Sequence, residues 1–197
     1  LIIEATYADR AHESVADAEE HLGEAVRRTA ARGGKLLIPA FALGRCQELI
    51  YSLHRLHRDG KIPTVPIYVD SPLAVDITTV FRMHPEIFDQ REHLIASGAH
   101  LFDFPLVRYV RDVAESKALN GATGPAIIVA ASGMAESGRI LHHLANELDD
   151  HRNLVLFVGF QADHTLGRRI QRGEELVRIL GREYPRRAEV ETIDGYS

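Results

Sequence analysis

The sequence predicts an α/β fold, a mostly parallel sheet flanked by helices. Short β-rich runs alternate with amphipathic stretches from end to end of the 197 residues. Runs such as Ala126-Ile127-Ile128-Val129 are apolar without alternation, as strands buried on both faces are. Small-residue turns then lead from the runs into helices, the connection that parallel neighbours require.

In chain order, Ser14 to Arg32 carries Val15, Ala18, Leu22, Ala25, Val26 and Thr29 at helical spacing. Acidic residues lead this segment, arginines finish it and Gly33-Gly34 stops it, in the sense that the helix dipole and C-cap favour. Lys35 to Ala40 is a buried strand. Arg45 to Arg58 is a second helix with Cys46, Leu49, Ile50, Leu53 and Leu56 inward. Val65 to Val69 is a strand and Leu73 to Met83 a helix. The middle, from His84 to Gly124, is less regular and is expected to be helices and loops decorating one edge. Ala126 to Ala131 is a strand, and a helix follows from about Ser137 to Leu148. Asn153 to Gly159 is a strand, Leu166 to Gln171 a short helix, and two strands lie near Leu176 to Leu180 and Ala188 to Ile193.

Both ends, Leu1-Ile2-Ile3-Glu4 and Thr192-Ile193-Asp194-Gly195-Tyr196-Ser197, read as strands of a sheet that is mostly not here. The expectation is therefore a piece of a larger protein. The length suits one α/β domain, and 45% hydrophobic with 26% charged residues is an ordinary soluble balance. No apolar run approaches the roughly 20 residues needed to cross a bilayer, so no membrane partner is expected. Cys46 is the only cysteine, which excludes an internal disulfide and a CxxC zinc site and favours a cytoplasmic setting. A net charge of −5 argues against an indiscriminate polyanion binder. Nucleic-acid contact must then come from local arginines.

Four junctions share one design, an apolar strand running into a small-residue turn and a helix. They are Pro39-Ala40-Phe41-Ala42-Leu43-Gly44-Arg45, Asp70-Ser71-Pro72-Leu73-Ala74, Ala131-Ser132-Gly133-Met134-Ala135-Glu136-Ser137-Gly138-Arg139, and Gly159-Phe160-Gln161-Ala162 leading to Thr165-Leu166-Gly167-Arg168-Arg169. In a parallel sheet such turns emerge at the carboxyl edge, where ligands bind. Helix N-termini there suit phosphate oxygens, and arginines add charge-assisted contacts. Any one junction is read as plain chain reversal; four together point to an anionic ligand. The histidines form no His-x-His or His-Glu-x-x-His pattern. His54 and His57 sit beside Arg55 and Arg58. Adjacent His142 and His143 fall on opposite flanks of a helix, where one of them could face the cleft and hydrogen-bond a phosphate.

Glu4-Ala5-Thr6-Tyr7-Ala8-Asp9-Arg10, with His12, resembles the Glu-Ser-Thr-Tyr-Gly-Asp-Arg segment of the β-CASP branch of the metallo-β-lactamase superfamily, nucleases related to the cleavage and polyadenylation endonuclease. The four junctions match that family in the same order, so the resemblance covers essentially the whole chain. It implies a Rossmann-like β-CASP domain over residues 13–187. Residues 1–12 would be a terminal strand and loop, and 188–197 a returning strand, of a missing metallo-β-lactamase domain. It implies that Glu4 has a catalytic supporting role. It further implies that the parent is an RNA-processing nuclease with two zinc ions held outside this piece, and that RNA and the missing domain are its partners. A homodimer is left open, as are endonuclease against 5′-exonuclease action and DNA as substrate. From the junctions and the resemblance together, the candidate substrate-binding residues are Arg45, Ser71, Ser132, Gly133, Met134, Ser137, Gly138, Arg139, His142, Gln161, Thr165 and Arg168. Metal-ligating candidates are none: the family's His-x-His-x-Asp-His motif is absent and its next histidine would follow Ser197. Ala5 and Ala8 also depart from the family's Ser and Gly, and Asp163-His164 from its Glu-Gly, a change at the cleft rim. The piece alone is expected to be inactive, acting as a clamp on RNA. The alternative is a stand-alone phosphate- or nucleotide-binding module without catalysis.

Overall fold

The computed structural model describes residue 3 and residues 13–84 and 101–196. Among the described residues the elements are α1 (Val15–Ala31), β1 (Lys35–Pro39), α2 (Arg45–Arg58), β2 (Ile67–Val69), α3 (Pro72–Met83), β3 (Val107–Tyr109), α4 (Val113–Gly121), β4 (Ala126–Ala130), α5 (Ile140–Glu147), β5 (Leu154–Phe157), α6 (Leu166–Gln171), β6 (Leu176–Ile179), β7 (Arg182–Pro185) and β8 (Glu189–Thr192). Six strands form one sheet in the order β3-β2-β4-β1-β5-β8, every neighbouring pair parallel. β6 and β7 make a separate antiparallel hairpin.

Central strand β1 is buried throughout, because alternate side chains enter two different cores. Leu36 and Ile38 join one with α1 and α2, through Leu22, Val26, Leu49, Ile50 and Leu53. Leu37 joins the other with Ile140 and Leu144 of α5, Leu166 and Ile170 of α6, and Val177 and Ile179 of the hairpin. A continuous apolar run is what a strand between two helical layers requires. The helices carry the expected end signals. Ser14 caps α1 by accepting from the Asp17 amide at 3.1 Å, and Ser71 caps α3 ahead of its Pro72.

Three details differ from the sequence expectation. The middle segment holds more regular structure than loops and helices at an edge: β3 extends the sheet and α4 follows, capped by Asp112. A three-residue strand is too short for periodicity to reveal. The helix expected from Ser137 begins at Ile140, since the preceding residues form a turn with Gly138 at φ +77°. β7 is polar, Arg182-Glu183-Tyr184-Pro185, and gives no apolar run. β8 pairs in parallel with β5 at the other end of this sheet from β3. Among the described residues no helix is long and apolar enough to cross a membrane.

Candidate functional site

Because all six strands are parallel, the turns after β1, β2, β4 and β5 open on one edge of the sheet. Adjacent strands β1 and β4 send their following helices to opposite cores, α2 to one and α5 to the other. That divergence leaves a crevice at the carboxyl edge, the usual ligand position in open α/β sheets. The crevice is a cleft of ≈ 370 Å³ lined by Pro39, Ala40, Phe41 and Arg45 after β1, Gly133 and Met134 after β4, and Val158 to Gln161 after β5.

Its floor is fixed by Gln161, which is 3% exposed. The Gln161 amide donates to the carbonyls of Gly133 (3.0 Å), Gly159 (3.2 Å) and Phe160 (3.1 Å), tying the β4 and β5 turns together. Gly133 lies close against Phe41: a Cβ there would lie 2.8 Å from the ring, which would have to shift. Arg45 at the rim donates to Glu48 at 2.8 Å, an exposed pair of the kind that contributes little and exchanges readily. The Cys46 thiol behind it is pushed up to about 12 by burial, so it supplies no thiolate nucleophile at neutral pH.

The other candidates divide between a buried network and ordinary helix ends. Arg139 donates to Asp70 Oδ1 at 2.6 Å and to the carbonyls of Val110 (3.1 Å) and Arg111 (2.6 Å). Its guanidinium thus braces the turn from within. His143, not named as a candidate, is fully buried and hydrogen-bonded to Asp70 (2.6 Å) and to the Asn120 side chain (2.8 Å). Its neighbour His142 is exposed, with its carbonyl accepting from Asn146. The helical stripe placed the two on different flanks; only the Asp70 contact, remote in sequence, distinguishes the inner one. Burial tends to raise the Asp70 carboxyl, but hydrogen bonds from His143, Ser116 and Arg139 outweigh it and hold it below its ordinary value.

Ser71 acts as a cap, accepting from the Ala74 amide at 3.2 Å. The Ser132 hydroxyl accepts from the Glu136 amide at 3.4 Å. Ser137 is exposed, and Gly138 packs so closely that a Cβ would lie 2.6 Å from the Ala131 carbonyl. Thr165 caps α6, accepting from the Arg168 amide at 3.2 Å. The first amides of that helix are already bonded, Leu166 to the Glu136 carboxylate and Gly167 to the Met134 carbonyl. At α5, the Ile140 and Leu141 amides bond to Ala131 and Gly138. These ends are therefore filled by the protein, in contrast to the phosphate contacts expected of them. Arg168 is one-third exposed and donates to Gln171 at 2.7 Å. Glu4 lies outside the described residues.

The site thus collects Arg45, Gly133, Met134 and Gln161 in one cleft, with Ser71, Arg139 and His143 belonging to the scaffold beside it. Among the described residues no group of three or more His, Cys, Asp or Glu side chains is placed to hold a metal ion. Among the described residues Arg45 is the ionisable side chain of the cleft lining and no acid–base pair faces it there, so the arrangement suits holding an anionic ligand.

Comparison with known proteins gives a consistent picture. The model of the Beta-Casp domain matches residues 46–170. The whole chain is 39% identical to a ribonuclease of Thermus thermophilus, covering 46% of that protein. It is 35% identical to transcription termination factors named FttA from Methanosarcina mazei and Thermococcus kodakarensis, again over the whole chain and 32% of theirs. The chain therefore spans 32–46% of the length of these relatives.

Proposed function

The chain belongs to the Beta-Casp domain family, and from that premise we propose that it is the RNA-clamping domain of a larger zinc-dependent ribonuclease. The observation that carries this reading is the cleft where three carboxyl-edge turns meet, with Arg45 at its rim. One relative is named a ribonuclease and others termination factors, proteins whose names place them at RNA or its synthesis.

In this reading Arg45 and Arg168 pair with phosphates of a single strand, and Gln161 holds the two turns at a fixed separation. Arg139 positions the rim through Asp70. The described residues do not fit a zinc centre, so the two ions would be held elsewhere in the intact protein, by a neighbouring metallo-β-lactamase domain that Glu4 of this chain would support. The filled amides of α5 and α6 weigh against the alternative of a stand-alone nucleotide-phosphate module, which depends on free N–H groups.

The experiment is cleavage of single-stranded RNA by the intact protein, compared with this chain alone, with and without a chelator. Cleavage by the intact protein that the chelator abolishes, with salt-dependent RNA binding but no turnover by the chain, is expected. Chelator-resistant cleavage, or turnover by the chain alone, overturns the reading.

A further inference from the structure

Two large aromatic side chains at the cleft remain outside the phosphate contacts just described. Phe41 is 50% exposed and Phe160 40% exposed, and both line the ≈ 370 Å³ space that Arg45 borders. Aromatic rings of this size are ordinarily buried, and exposure beside a cation is informative. Phe41 is also held in place. Its ring edge rests on the backbone of Gly133, where a Cβ would come within 2.8 Å, so one side of the ring is supported while half of its surface stays open.

The volume sits near the lower end of the roughly 300–1,000 Å³ of small-molecule sites, suited to one nucleotide rather than a duplex. The walls are apolar except at the Gln161 floor and the Arg45 rim. Arg45 is paired there to a Glu48 that is 58% exposed, a contact that a phosphate would displace at little cost. A flat apolar group joined to an anion is the ligand this combination fits.

We propose that the cleft is a nucleobase subsite, in which one unpaired base of single-stranded RNA stacks on Phe41 within the walls shared with Phe160, while Arg45 takes the adjoining phosphate. The inference rests on the RNA-binding reading above and adds to it a base-recognising element that phosphate contacts lack. Stacking accepts every base, so the subsite gives affinity and register without sequence preference. It also accounts for Gly133: a larger residue would push the ring from its seat.

The test is equilibrium binding by the intact protein of an oligouridylate and of an abasic ribose-phosphate oligomer of equal length, at the same salt. The oligouridylate is expected to bind roughly tenfold more tightly. Phe41→Ala should abolish most of that difference, Phe41→Tyr should retain it, and Gly133→Ala should reduce it. A 2-aminopurine placed in the strand should be quenched on binding to the unmutated protein, a readout that depends on no variant folding. Equal affinity for both oligomers with no quenching overturns the subsite and leaves the clamp standing. Absence of salt-dependent binding to either oligomer overturns both.

Discussion

Nε2 of His143 donates to Oδ2 of Asp70 across 2.6 Å, and both side chains are fully buried. The same carboxylate accepts from Ser116 of α4 and from Arg139 ahead of α5, so one residue at the end of β2 fastens two helices to the sheet. Asp70→Ala should lower the unfolding free energy by about 3–5 kcal/mol, because it strands a partly buried guanidinium and a fully buried imidazole. Asp70→Asn keeps one acceptor oxygen and should lose less. Urea denaturation of the two variants measures this; a loss below about 1 kcal/mol for the alanine would mean that water takes the carboxylate's place.

The depressed Asp70 carboxyl sets an acid limit on the fold. A carboxyl held below its unfolded value contributes stability that is fully present above that value, near pH 4. The contribution is lost as pH falls through the folded one. Between pH 5 and 7 the wild-type advantage over Asp70→Asn should be constant, and below about pH 4 it should shrink. Glu189, one-third exposed, tends upward on burial but is held down by Arg32 and Arg28; solvent screens it, so its share is smaller. Thermal midpoints of both proteins from pH 7 to pH 3 test the point: parallel curves through pH 4 would show that Asp70 is not the titrating group.

The sheet was legible because its strands are buried on both faces, and Leu36-Leu37-Ile38 or Ile127-Ile128-Val129 then cannot be mistaken for surface. Helix α2 was legible to the residue from its apolar stripe and its trailing Arg55 and Arg58. What escaped was set by partners distant in sequence. β3 is a strand because Ile67 to Val69 pairs with it, and β7 because Val177 faces Tyr184. The same limit governed the site. Parallel strand direction put the four junctions on one edge, but whether an arginine there points to solvent depends on what lies opposite. For Arg139 the neighbour is Asp70, sixty-nine positions away; for Arg45 it is Glu48, one helical turn on. Spacing alone makes the two look alike.

Gly138 offers a test of how strictly the β4–α5 turn is specified. Its φ of +77° is a left-handed conformation that costs an L-residue about 1–2 kcal/mol, and a Cβ would also lie 2.6 Å from the Ala131 carbonyl. Gly138→Ala should therefore destabilise by more than the backbone term alone and shift the neighbouring Arg139. In Gly124→Ala, φ +89° with open space around the Cβ, only the backbone term should appear. Similar losses in the two, by chemical denaturation, would count against the steric part of this account.

Partners separate the arginines by function, since the Arg45 and Arg139 side chains are about equally exposed, 18% and 17%. Arg45 and Arg168 make surface contacts with Glu48 and Gln171, so a phosphate can replace those partners. Arg139 cannot turn outward without abandoning Asp70 and two carbonyls. Each lost phosphate contact to a single strand reduces the slope of log affinity against log salt by about 0.7. Arg45→Ala and Arg168→Ala should each flatten that slope by roughly this amount while leaving the thermal midpoint nearly unchanged. Arg139→Lys should do the opposite: a lysine ammonium cannot span three acceptors in the guanidinium's plane, so the midpoint falls by several degrees while the slope stays near wild type. Should Arg139→Lys flatten the slope at unchanged stability, the guanidinium would be contacting RNA directly, and the division between rim and brace would be wrong.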